Sequence, residues 1–158
     1  ALSLLGERLD IDREQAPTAE NVARLEWLVL TLNPNDNQGF RTRLLRHYLE
    51  LGRFEEALAF ADRYPDDFAP MRYSRALALF ALGRTDEASL ALREAVEAYP
   101  RTLTWLLKSQ PKAPPSDRFG IAVGGDEEAW IYRQQHLGLW QHLGALDWAA
   151  RIKRSRAR

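Results

Sequence analysis

The chain has 158 residues, 46% of them apolar, which suits one compact domain that removes roughly 70% of its unfolded surface from water. Lys plus Arg equals Asp plus Glu at 22 each, and there is no cysteine; this argues against a dedicated polyanion binder and excludes disulfide scaffolds, thiolate metal sites and cysteine nucleophiles. No apolar run approaches the ~20 residues that span a bilayer, and the opening Ala-Leu-Ser-Leu-Leu-Gly-Glu-Arg lacks the basic region and cleavage pattern of a signal peptide.

Apolar residues recur at helical spacing almost throughout, and the alternation that marks strands is nearly absent, so the fold is expected to be all-α. Thr18 is the expected cap of a first helix whose stripe is Val22, Leu25, Val29 and Leu32, ending at Asn33-Pro34. A second helix follows the cluster Asn35-Asp36-Asn37, buries Phe40, Leu44, Leu45, Tyr48 and Leu49, and ends at Gly52. A third carries Phe54, Ala57, Leu58 and Ala61 and stops at Pro65, because proline disfavours a helical residue before it. The fourth runs from about Ala69 to Leu82 and meets Gly83. Thr85 or Asp86 is expected to cap the fifth, which buries Ala88, Leu92, Ala95 and Val96 and ends before Pro100.

The helix–glycine–helix–proline order occurs twice. Leu51-Gly52-Arg53-Phe54-Glu55-Glu56-Ala57 aligns with Leu82-Gly83-Arg84-Thr85-Asp86-Glu87-Ala88 at an offset of 31 residues. Glycine permits the tight reversal, the acidic pair suits the positive end of the next helix dipole, and alanine lets two backbones approach. These residues resemble the tetratricopeptide repeats, helical hairpins with a 34-residue period. Ala76, Gly83, Ala88, Leu92, Ala95 and Pro100 fall on the family pattern in the second copy, and Leu44, Tyr48, Gly52 and Ala57 in the first. Departures are Pro65, one turn early, which predicts a short second helix, and Arg41, Arg72 and Arg75 at usual tryptophan or leucine places. The resemblance covers about residues 36 to 100 and implies a right-handed stack of antiparallel hairpins.

Beyond Pro100, a short helix from Arg101 to Lys108 carries Trp105, Leu106 and Leu107. A loop of about seventeen residues with Pro111, Pro114, Pro115, Gly120, Gly124 and Gly125 follows, long enough to imply a covering role or disorder. Within it Phe119, Ile121 and Val123 alternate, as a segment lying extended across the helices would. Helices from Asp126 to about Leu143 and from Ala145 to about Lys153, rich in Trp130, Tyr132, Trp140 and Trp148, are expected to cap the stack. The expected organisation is N-terminal helices at 1–35, two repeats at 36–100 and a capping region at 101–158, all in one compact domain.

Catalytic chemistry finds little support. His136 and His142 are six residues apart and so do not share a helical face as metal ligands would, and His47 stands alone. The segment around Gly39, placed as a calcium loop, would require Pro34 and Leu45 as ligands. Gly124-Gly125 before a helix is followed by Asp126, Glu127 and Glu128, which would repel a phosphate. No serine has a nucleophile-elbow context. The expectation is a non-enzyme without metal or cofactor.

In the resembled family the leading helices of successive repeats line a concave groove for a peptide or partner helix. Transferred to this chain, that groove takes Gln38, Thr42, Arg43, Arg46 and Glu50 from the first copy and Tyr73, Ser74, Leu77 and Phe80 from the second. Arg43 and Arg46 lie one turn apart and can converge on a carboxylate, while Tyr73 and Leu77 offer an apolar wall. The expected partner is therefore a protein or peptide of acidic-apolar character; a membrane is not expected, nucleic acid is disfavoured, and the oligomeric state stays open. The C-terminal helices filling the groove themselves is an alternative arrangement. Alternative functions are an adaptor using the basic end, Arg151 to Arg158, and a structural part of a larger enzyme. A cytoplasmic location is the default, Ala1 in place of Met points to a processed product or a piece of a longer protein, and 19 Arg against 3 Lys fits a GC-rich bacterial genome.

Overall fold

The computed structural model describes residues 17–32, 35, 39–65 and 67–158. Helix α1 spans Ala19–Glu26 and continues as a π-helical turn, Trp27–Leu32. Then come α2 (Phe40–Glu50), α3 (Phe54–Asp62), α4 (Ala69–Ala81), α5 (Thr85–Ala98), α6 (Pro100–Leu106), α7 (Asp126–His142) and α8 (Leu146–Arg156). Among the described residues there is no strand. Consecutive helices pack on one another from α1 to α7, and α2 also packs on α4, so the hairpins α2–α3 and α4–α5 stack side by side.

Thr18 caps α1 as expected, its Oγ1 accepting from the Asn21 N–H at 3.1 Å. Val22, Leu25 and Val29 are buried, but Leu32 is exposed. The wider i→i+5 winding of the π turn rotates it off the apolar face that ordinary helical spacing would keep. Helix α3 has nine residues and ends ahead of Pro65, the short helix that the early proline predicts.

Each repeat turn closes in the same way. At the end of α4, Gly83 N–H donates to Phe80 O and Arg84 N–H to Leu79 O, both at 3.0 Å, with Gly83 at φ 75°. This pair of bonds satisfies carbonyls that the helix end would otherwise leave free, and it needs a left-handed residue that glycine supplies without strain. Arg84 O then accepts from Ala88 N–H and opens α5, so the reversal takes almost no chain. Arg84, rather than Thr85 or Asp86, therefore occupies the cap position, and no side chain caps the helix. Its guanidinium instead reaches forward to the Glu87 carboxylate through Nε, at 2.9 Å, as Arg53 does to Glu56 at 2.7 Å.

The same turn appears a third time. Gly144 N–H donates to Gln141 O and Ala145 N–H to Trp140 O, Gly144 has φ 69°, and Ala149 N–H donates to Ala145 O. Ala57, Ala88 and Ala149, which follow the three glycines at one spacing, are all fully buried. Helices α7 and α8 are thus joined by the same hairpin turn as the two repeats.

One connected apolar core runs from Val22 to Ile152 and includes side chains of every helix. Tyr73 ties the second repeat to the segment after it: its hydroxyl donates to Tyr99 O at 2.8 Å and accepts from Leu103 N–H at 3.2 Å. Trp105, at the end of α6, donates to Asp126 Oδ1 at 2.9 Å and so anchors the start of α7. Between them, the Pro/Gly-rich loop is tied down by Glu127, which accepts from Ser116 Oγ at 2.9 Å. The expectation that Phe119, Ile121 and Val123 lie across the helices is met only in part. Ile121 and Val123 edge a cleft, whereas Phe119 is 97% exposed because Gly120, at φ 111°, turns the chain between them.

Candidate functional site

A cleft of about 740 Å³ opens between α2 and α7. Its α2 wall is Gly39, Thr42, Arg43 and Arg46, and its α7 wall is Glu128, Ile131, Tyr132 and Gln135. Both sets step by three, one and three residues, the spacing that puts four side chains on one helical face. Phe68 and Pro70, at the start of α4, close one end, and Ile121 and Val123 from the loop form the rim. The lining therefore mixes apolar side chains with cations on one wall and a carboxylate on the other.

Arg46 Nε is buried and makes an ion pair with Glu50 Oε1 at 3.6 Å, just beyond hydrogen-bond distance. The Arg43 guanidinium lies over the Phe40 ring, 5.4 Å from the centroid. On the opposite wall, burial raises the Glu128 carboxyl above its usual range, opposed by the Gly124 N–H that it accepts. Thr42 is held at the mouth, where its hydroxyl donates to Gly39 O at 2.8 Å.

Of the residues expected to line a groove, the structure brings Thr42, Arg43 and Arg46 together in this cleft. Gln38 lies outside the described residues. Glu50 is exposed and pairs with Arg46 and His47 along α2 itself. Tyr73, Ser74 and Leu77 are corrected: all three are buried and offer nothing to a partner. Ser74 Oγ lies 3.4 Å from Tyr132 Oη, and the Tyr73 and Tyr132 rings meet at 5.8 Å, so α7 covers this part of the groove. Phe80 is likewise taken, stacked on Trp148 of α8 at 4.7 Å.

Over Tyr73 and Ser74 the arrangement is the alternative one, with a C-terminal helix filling the groove, while the residues by which α7 walls the remaining cleft are not among the expected ones. Its signal was present in the sequence. Leu143-Gly144 followed by Ala149 repeats the spacing of Leu51-Gly52 with Ala57 and of Leu82-Gly83 with Ala88, which makes α7 the leading helix of a third hairpin.

Stacked hairpins whose leading helices enclose a cleft define the class, a helical-repeat fold. Residues 69–102, comprising α4, α5 and the start of α6, match the family model of the tetratricopeptide repeat. No curated protein and no solved structure matches the chain. Among the described residues, no group of His, Asp or Glu is placed to hold a metal ion, and no helix is long and apolar enough to cross a membrane.

Proposed function

We propose that this chain is a non-catalytic protein-interaction module that holds a polypeptide segment in the cleft between α2 and α7. Tetratricopeptide repeats generally mediate contacts between proteins and are typically without catalytic activity, which supports the coarse reading. The cleft itself supports the finer one: two facing helical surfaces present Arg43 and Arg46 against Ile131. A segment with an apolar side chain and a nearby carboxylate suits this lining, since guanidinium–carboxylate bonds are among the stronger ones available.

The test is selection of a phage-displayed library of linear peptides on the intact chain, followed by calorimetry of the enriched sequences. Enriched peptides are expected to carry acidic-apolar pairs and to lose at least about tenfold in affinity, or about 1.4 kcal/mol, on Arg46→Ala. Binding that is equal for Arg46→Ala and Ile131→Arg would remove the cleft from the interface. Turnover of an ester, phosphate or glycoside panel by the purified chain would overturn the non-catalytic reading.

A further inference from the structure

Opposite charges balance over the whole chain but not along it. Residues 151–158, Arg-Ile-Lys-Arg-Ser-Arg-Ala-Arg, carry five cations and no acid, which leaves the rest of the chain with five acids in excess. The ion pairs follow the same division. Arg53, Arg75 and Arg84 on the repeats each meet a carboxylate, at Glu56, Asp62 and Glu87. On α8, Arg151, Lys153, Arg154 and Arg156 are exposed, and none of them pairs with a carboxylate among the described residues. The one acid of α8, Asp147, lies at its start. Two of these cations bond to neutral oxygens instead: Lys153 Nζ donates to Thr104 Oγ1 at 3.3 Å and Arg156 to Arg93 O at 3.0 Å. With the buried Trp148, Ala149 and Ile152, these bonds fix the last turns of α8 against α5 and α6. Cations in the last turn of a helix are favoured by its dipole, but that effect fades within a turn, and Arg151 stands five residues before the end of α8.

We infer that this end of α8 is a docking surface for the phosphate backbone of duplex DNA, separate from the cleft, to whose lining α8 contributes nothing. Arg151 and Arg154 lie on the face of the helix away from its buried residues, and Lys153 and Arg156 flank them. From Arg151 to Arg156 the helix rises about 7.5 Å. Duplex DNA carries about four phosphate charges over that length, so the two charge densities match. The surroundings select the partner. Neither α7 nor α8 exposes a large apolar side chain. Protein interfaces draw their strength from a buried apolar or aromatic centre, and single-stranded nucleic acid is held by aromatic side chains on which its bases stack. This surface offers neither, whereas duplex DNA is bound without sequence preference through phosphate contacts alone. Duplex RNA is gripped across two successive minor grooves, over ~16 base pairs, farther than so short a stretch reaches. The acidic excess of the rest of the chain makes the molecule a dipole and turns its cationic end toward a polyanion.

Fluorescence anisotropy of a labelled random-sequence DNA duplex, titrated with the intact chain at salt concentrations from about 0.05 to 0.2 M, tests this. Four phosphate contacts predict a slope of log affinity against log salt of about −3.6. Arg151→Gln combined with Arg154→Gln is expected to halve that slope and to weaken binding at least about tenfold at the lowest salt, with the parent's melting temperature, because neither side chain bonds to the rest of the fold. Arg53→Gln combined with Arg84→Gln makes the same change in net charge at arginines that already hold carboxylates, and is expected to bind DNA as the parent does. Absence of binding at the lowest salt, or an equal loss in the two double variants, overturns the inference. Tighter binding of a polyglutamate peptide would give the surface to an acidic protein, and tighter binding of duplex RNA would give it to that backbone; either result overturns the assignment to DNA.

Discussion

Trp140 donates its indole N–H to Tyr132 Oη at 3.1 Å, and that hydroxyl lies 3.4 Å from Ser74 Oγ on α4. Three buried polar groups from two helices thus share one oxygen, and the arrangement fastens the third hairpin over the second. Burial also raises the Tyr132 hydroxyl pKa far above its ordinary value, opposed by the bonds from Ser74 and Trp140, so the group stays neutral. Tyr132→Phe keeps the ring and deletes the oxygen. Because it strands the Trp140 N–H and the Ser74 hydroxyl, it is expected to cost about 1–3 kcal/mol in urea denaturation. A midpoint equal to the parent's would show that water or another group already serves both.

His136 carries the next prediction. Its ring stacks on Tyr132 at 4.0 Å with planes 11° apart, and its Nδ1 lies 3.0 Å from Tyr132 O. Burial pushes its pKa down to about 3, the Arg46 cation acts in the same direction, and the bond to Tyr132 O opposes them. In the unfolded chain the imidazole titrates near 6.5. Between these values the unfolded state holds a proton that the folded state does not, so the folded chain loses stability as the pH falls from about 6.5 towards 3. Above that window this group contributes no pH dependence. The slope approaches about 1.4 kcal/mol per pH unit for one proton. Urea denaturation between pH 7 and pH 5 is expected to show a shallower fall for His136→Asn than for the parent, and Arg46→Ala is expected to raise the imidazole pKa measured by NMR. Parallel stability curves for parent and His136→Asn would assign the acid sensitivity elsewhere.

Gly144 tests whether the third hairpin turn does the same job as the first two. A methyl group there would meet no atom within 4 Å, so any cost comes from the backbone, held at φ 69°. Alanine in the left-handed region costs roughly 1–2 kcal/mol. Gly144→Ala and Gly83→Ala are therefore expected to lose similar amounts of stability in thermal denaturation, with Gly144→Asn losing less because asparagine tolerates this conformation better. A loss confined to Gly83→Ala would mean that α7 and α8 are joined by a turn that can be remade.

The helices were legible because their punctuation is local. Thr18, Gly52, Pro65 and Gly83 each act on the backbone within a residue or two, and the pattern of Leu44, Leu45 and Tyr48 is set by one helical period. The arginine cap at Arg84 was harder to read, since the bonds that close the turn are backbone bonds and leave the cap side chain free for Glu87. The groove was half legible. Positions on α2 follow from the repeat register, but whether Tyr73 and Ser74 face solvent depends on where α7 lands, 58 residues from Ser74 to Tyr132, and no local rule carries that distance. Phe119 and Ile121 show the same limit in small: alternation assigned them one environment, and the positive φ of Gly120 gives them two.

Trp148 decides how firmly the far end of the groove is shut. It stacks on Phe80 with centroids 4.7 Å apart and planes at 24°, lies 6.2 Å from the Trp140 ring, and donates its indole N–H to Ser89 Oγ at 3.1 Å. It therefore touches the second repeat on both of its helices while belonging to α8. Trp148→Ala removes the stack, the bond and a large buried volume together, and is expected to cost about 3–5 kcal/mol. Trp148→Phe keeps an aromatic surface against Phe80 and loses the bond to Ser89, so a smaller cost of about 1–3 kcal/mol is expected. Urea denaturation of both variants measures the difference, and binding of a hydrophobic dye distinguishes two ways of losing stability. If α8 detaches while the repeats stay folded, Phe80 becomes accessible and dye binding rises before the main transition. If the third hairpin is integral to the stack, dye binding and loss of helix coincide, and that coincidence is the expected result because the core runs unbroken from α1 to Ile152.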